Sequence, residues 1–155
     1  MSLPALLPNG FLPPGIHVAT LPDIIAQFGI GNPRRQELGT RLQELLRVAR
    51  STGALRHAFI YGSFVTDKPF PRDLDVFLFM QEGFDRVFRQ LPQLQQNVFE
   101  HNRARLVFEA DIFWATEAIG LDELNSWLSV YQLSRDMIER GIVEVIFGDR
   151  DDGSI

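Results

Sequence analysis

The sequence predicts an α/β domain: a small mixed sheet of about four strands, with helices packed mainly on one face. Three observations predict it. Two β-like apolar runs, residues 58–61 and 74–80, flank a turn-rich stretch, and a third β-like run closes the chain at 141–147. Segments of helical period begin at Pro33, Phe84 and Leu121, so strands and helices alternate. With 155 residues, 45% of them hydrophobic and thirteen of them phenylalanine, the chain has enough apolar volume for one core.

The elements follow in order. Pro4, Pro8, Pro13, Pro14 and Pro22 make regular structure unexpected before Leu21, so residues 1–31 read as a proline-rich arm packing on the domain. Within that arm, 21–28 suits a short helix with Thr20 as cap and Pro22 in its first turn, broken by Gly29 and Gly31. The domain proper spans 32–147. Asn32-Pro33 is a helix start, an N-cap side chain followed by proline at the first helical position. Leu38, Leu42, Leu45, Leu46 and Ala49 then share one face, Arg34, Arg35, Glu37, Arg41, Glu44 and Arg47 fall largely elsewhere, and Gly53 closes the segment. Phe84, Val87, Phe88, Leu91, Leu94, Val98 and Phe99 keep helical rhythm across Pro92, which predicts one kinked helix or two abutting ones. A strand is expected over 105–114, with Val107, Glu109 and Asp111 on one face. A helix over 121–132 and the strand at 141–147 follow, and residues 148–155 read as a flexible acidic tail.

The stretch with the most chemistry is 61–76. The run ending at Tyr61 stops at Gly62-Ser63, a pair that turns sharply and leaves backbone N–H groups available to an anion. Nine residues after Ser63 comes Asp73, and Asp75 follows it by two. Residues two apart on a strand face the same side, so both carboxylates point at one place, as a hard divalent cation requires. A turn explains Asp73 without any ligand. It does not explain Asp75 among Leu74, Val76, Phe77 and Leu78, where an unpaired buried carboxylate is costly. Lys68 and Arg72 lie between the turn and the carboxylates, placed either to neutralise phosphate or to be solvated. Asp111, flanked by Ala110 and Ile112, is the third candidate carboxylate, preferred over Glu109. His17, His57 and His101 share no metal-ligand spacing, and Trp114 and Trp127 read as core.

Gly62-Ser63, a nine-residue spacer and Asp73-Leu74-Asp75 followed by apolar residues resemble the signature of the DNA polymerase beta-like nucleotidyltransferase superfamily, over about residues 57–113. The frame of 12–17 and 140–143 also resembles an uncharacterised family of small bacterial proteins carrying that domain. The resemblance implies a metal-dependent nucleotidyltransferase that moves a nucleoside monophosphate from a triphosphate, ATP foremost, to a hydroxyl acceptor: a protein, an RNA end or a small molecule. It implies Mg2+ or Mn2+ on Asp73, Asp75 and Asp111 as the catalytic carboxylates, with the triphosphate on Gly62 and Ser63 and cationic help from Lys68 and Arg72. It further implies that the chain is the transferase or antitoxin partner of a toxin pair. The alternative is a weakly active or inactive binding module of the same fold, acting through a protein partner.

Composition narrows the classes. The absence of cysteine excludes disulfides, zinc-thiolate sites and thiol nucleophiles. A net charge of −5 has the wrong sign for extended nucleic-acid binding. Residues 1–10 lack an export-signal pattern and no apolar run approaches bilayer length, so a cytoplasmic protein without membrane contact is expected. Neither a P-loop lysine motif nor a dinucleotide glycine fingerprint is present.

Overall fold

A computed structural model describes residues 3–148. It begins in the sheet. Strand β1 (Gly15–Thr20) runs into helix α1 (Leu21–Phe28), whose cap is Thr20, the hydroxyl accepting from Asp23 N at 3.2 Å. Helix α2 (Pro33–Ser51) starts where Asn32 Oδ1 accepts from Arg35 N at 2.9 Å. Then come β2 (Leu55–Tyr61) and β3 (Leu74–Met80). The phenylalanine-rich segment divides into α3 (Phe84–Val87), a 3-10 turn and α4 (Gln93–Phe99), the break falling at Pro92 as its missing N–H demands. Helix α5 (His101–Phe108), β4 (Ala110–Thr116), α6 (Leu121–Tyr131) and β5 (Gly141–Ile146) complete the order.

The sheet is mixed, with order β1-β5-β2-β3-β4. Strands β1 and β5 are parallel, β2 is antiparallel to both β5 and β3, and β4 is parallel to β3. It has five strands where about four were expected. The added one is β1, inside the proline-rich arm: its prolines stop at Pro14, and Gly15 to Thr20 pairs residue for residue with Gly141 to Ile146. An edge strand needs only one such partner, so the prolines beside it do not forbid it. The rest of the described arm crosses the domain through Phe11, bridged to Thr66, and Leu12, whose carbonyl accepts from Gly141 N at 2.9 Å. The acidic tail lies outside the described residues beyond Gly148.

The expectation of helices mainly on one face needs correcting for α6. Helices α1, α2, α4 and α5 cover the face of Ala58, Ile60, Val76, Leu78, Ile112 and Val143. Helix α6 covers the other face, where Leu124 and Leu128 join Phe59, Phe77, Phe79 and Ile142. The 105–114 strand also needs correcting. Residues 101–108 are helical, Glu109 turns the chain with φ 52°, and only then does β4 start. Val107 and Glu109 therefore do not share a strand face with Asp111; their alternation with it is coincidental. Among the described residues no helix is long and apolar enough to cross a membrane.

Candidate active site

Two strand beginnings and one strand end meet at the same edge of the sheet. Register fixes this: Tyr61, the last residue of β2, pairs with Asp75 near the start of β3, and Asp75 pairs with Asp111 near the start of β4. Asp73 enters just before β3. The structure thus brings together the three carboxylates singled out from sequence, one oxygen of each lying within 4.8 Å of the others. Gly62 follows at once, with φ 77° and ψ −163°. A Cβ there would fall 2.0 Å from Asp75 Oδ2, so a side chain is excluded twice, by dihedral and by space. The close approach that Gly62 permits is to Asp75 itself.

The cluster is electrostatically unfavourable as it stands. Burial first, then the neighbouring Asp73 and Asp111, push the Asp75 carboxyl up to about 7, against the pull of Arg140 and Arg135. Asp73 is raised too, by burial and Asp111, with Arg105, Arg34 and Arg72 opposing. Burial, with Tyr131 and Asp75 adding to it, pushes the Tyr61 phenol far up; its ring stacks on Tyr131 at 4.2 Å. Asp111 is ion-paired, Oδ1 lying 2.9 Å from Arg105 Nη1 and 3.7 Å from His101 Nε2. Like charges crowded in partial burial are relieved by a proton or a cation, and three converging oxygen donors suit a hard divalent ion such as Mg2+. By donor chemistry and spacing the residues fit the metal that the resemblance implies.

One wall of the site is the loop from Ser63 to Arg72, and the start of α2 holds it. Arg35, only 7% exposed, gives its guanidinium to backbone carbonyls: Nη1 to Phe28 at 3.0 Å and Phe64 at 2.8 Å, Nη2 to Thr66 at 2.7 Å and Lys68 at 2.6 Å. Arg34 donates to Pro71 O at 3.1 Å and to Arg72 O, and Asn32 Nδ2 donates to Pro69 O at 2.7 Å. Sequence reasoning placed Arg34 and Arg35 only as lying largely off the leucine face of a helix. A signal was available: two arginines in a helix's first turn oppose its dipole, so another interaction must hold them there. Lys68 and Arg72 do line the site.

The opposite wall is the hairpin after α6, contributing Leu133, Ser134, Arg135 and Arg140; α5 adds Arg105 at one end. Together the walls enclose a cleft of about 1120 Å³ over the aspartates. Arg105, Arg135 and Arg140 escaped sequence reasoning, since each reaches the cleft only through tertiary packing. Glu109 also borders the cleft, but Arg34 Nη1 at 2.9 Å and Arg41 Nε at 3.7 Å occupy its carboxylate. Asp111 is paired too, with Arg105, but it alone of the two brings a carboxylate oxygen within 4.8 Å of Asp73 and Asp75, which makes it the third acid of the cluster. His17 and His57 bond elsewhere, to Pro13 O and Glu144.

Residues 4–146 match a family of unknown function, DUF6932. No curated protein and no solved structure matches.

Proposed function

The chain belongs to the DUF6932 family, and we propose that it is a metal-dependent nucleotidyltransferase, transferring a nucleoside monophosphate from a triphosphate, ATP foremost, to a hydroxyl acceptor. The observation that carries the reading is the convergence of Asp73, Asp75 and Asp111 beside a Gly62-Ser63 turn that opens directly onto them. Asp73, Asp75 and Asp111 would hold Mg2+ or Mn2+, which when bound offsets charge on the phosphates and the departing pyrophosphate. The turn's first amides, those of Ser63 and Phe64, precede the 3-10 bonds made by Val65 and Thr66, and serve as phosphate donors. Lys68 and Arg72 stand on the same wall for the β- and γ-phosphates.

In the chemical step the acceptor oxygen bonds to the α-phosphorus, and the bond from α-phosphorus to the bridging oxygen breaks. Pyrophosphate leaves with that oxygen. Asp111 takes the hydroxyl proton, for which it must part from Arg105. That ion pair is also the observation favouring the second reading, a module of this fold in which Arg105 stands permanently against Asp111 and transfer does not occur.

Incubation with labelled ATP, magnesium and cell extract tests the proposal. Label should appear in one acceptor class and vanish in Asp111→Asn, whose affinity for ATP stays within a few fold. Unlabelled extract together with ATP affinity that does not respond to magnesium would overturn it. ATP binding without transfer, turned to transfer by Arg105→Gln, would identify Arg105 as the block.

A further inference from the structure

The hairpin wall holds two cationic groups, Arg135 and Arg140, that act on Asp75 but stand apart from the cations proposed for the triphosphate. Arg140 immediately precedes β5, pinned by its own N–H to Gln132 O at 2.7 Å. Its Nε is buried and makes no hydrogen bond among the described residues. Three other buried side-chain atoms share that condition, yet each has a charged or aromatic neighbour. Arg41 Nε lies 3.7 Å from Glu109, the Arg50 guanidinium sits 4.2 Å over the Phe147 ring, and Asp111 Oδ1 faces Arg105 at 2.9 Å. Arg140 has no ion pair within 4 Å among the described residues, Asp75 acting on it only from farther off, and it borders the cleft. A buried N–H with no acceptor, on a residue that borders the cleft, is a donor awaiting an acceptor.

Position separates this group from the triphosphate's cations. Lys68 and Arg72 stand on the loop that α2 holds from one face of the sheet, while Arg135 and Arg140 follow α6, which covers the other. The aspartates lie between. The cleft, about 1120 Å³, also exceeds the roughly 300–1,000 Å³ usual for a single small-molecule pocket. Room and charge both remain once one nucleotide is seated.

We propose that Arg135 and Arg140 form a second anion subsite, on the α6 side of the aspartates, which takes a phosphate or carboxylate group of the acceptor. The acceptor is then an anionic molecule, its hydroxyl aligned over Asp111 while its charged group is held on the hairpin. This rests on the nucleotidyltransferase reading, which is what calls for two substrates in one cleft. It adds the acceptor's chemistry: a neutral hydroxyl compound would leave Arg140 Nε unpaired.

The test follows the Arg140 Nε–Hε resonance in the full-length protein, titrated with inorganic phosphate and with magnesium-ATP in either order. Phosphate should shift it in wild type. Arg140→Gln should weaken phosphate binding roughly tenfold, the loss of one hydrogen bond to a charged group. Arg140→Lys, which keeps the charge but lacks Nε, should fall between. Magnesium-ATP should bind without displacing phosphate. Equal phosphate affinity in all three proteins overturns the subsite. If ATP displaces phosphate from Arg140, the group serves the nucleotide's own phosphates and the acceptor assignment is overturned. If wild type binds phosphate at Arg140 but never ATP, the transferase reading fails and takes the acceptor assignment with it.

Discussion

The two walls of the cleft are built on opposite principles. The Ser63–Arg72 loop contains little regular structure, yet three side chains from the start of α2 hold its carbonyls at Phe64, Thr66, Lys68, Pro69, Pro71 and Arg72. The hairpin from Gln132 to Arg140 is tied mainly by backbone bonds, the Leu133–Glu139 bridge and the Ser134–Ile138 and Arg140–Gln132 pairs, with one side-chain bond of its own, Ile138 N–H to Ser134 Oγ at 3.1 Å. Its tip exposes Met137 and Ile138, and one of its guanidinium nitrogens goes unbonded. The difference teaches where a binding site can be rigid in advance and where its capacity is left for a ligand. Pre-placed amides suit a substrate part that never varies, such as a triphosphate. Uncommitted donors suit the part that arrives second.

Breaking the first wall should have the largest effect. Arg35→Ala removes the donors to the carbonyls of Phe28, Phe64, Thr66 and Lys68 at a buried position, and is expected to cost about 3–5 kcal/mol in urea unfolding. Arg140→Ala should cost less than about 1 kcal/mol, because no protein acceptor loses a partner. Equal losses in the two variants would dissolve the contrast between the walls.

The floor between them gives the next largest effect, and it depends on pH. Asp75 is raised in the folded state from 3.8 to about 7. In metal-free protein its contribution to stability is therefore fully present below about pH 4, is lost as the pH rises towards 7, and is level above that. Asp75→Asn should gain about 2–4 kcal/mol over wild type at pH 8 and almost nothing at pH 4. Magnesium should narrow the gap at pH 8 by stabilising wild type alone. Thermal melts with and without chelator measure both; a gap that is the same at the two pH values would remove the crowded-carboxylate account.

Gly62→Ala comes third. The positive φ and the 2.0 Å approach to Asp75 Oδ2 together predict a loss of about 1–3 kcal/mol. Pairing it with Asp75→Gly separates the causes. The double variant should recover the part due to collision and keep the part due to the dihedral. Full additivity would mean that Asp75 and Gly62 do not meet.

What the sequence disclosed and what it hid divide along the same line. Features resting on local rules were legible: the Thr20 and Asn32 caps, the Leu74–Met80 strand, the break at Pro92, and two aspartates brought together at a strand's start, although Asp73 lies just before the strand and not on its face. Asp111 was legible as a strand carboxylate, although its supposed companion Glu109 lies in the left-handed turn after a helix. Strand β1 was hidden because its partner is over a hundred residues away. Arg34 and Arg35 were hidden because their loop acceptors lie 29–38 residues ahead, on a path no periodicity encodes. Arg140 entered only as part of the 140–143 frame, and nothing local pointed it at the cleft: by itself it reads as one more charge in a polar turn.

The smallest effect tests whether the hairpin wall is held loosely at its tip. Met137 is 71% exposed and sits at φ 63°, a left-handed conformation that an L side chain adopts at a cost of about 1–2 kcal/mol. Glycine removes that cost but adds roughly 0.5–1 kcal/mol of chain entropy to be lost on folding. Met137→Gly should thus raise stability by about 0.5–1 kcal/mol, provided the tip is a plain turn whose N–H bonds to Ser134 O at 2.9 Å and whose side chain packs on nothing. If stability falls instead, the methionine is packed and the hairpin is more firmly held than its exposure indicates. The two walls would then differ in degree and not in kind. Asparagine at the same position keeps a side chain while tolerating the left-handed region, so Met137→Asn should lie between wild type and glycine. That ordering, glycine above asparagine above methionine, is what a conformational effect produces and what a lost contact does not.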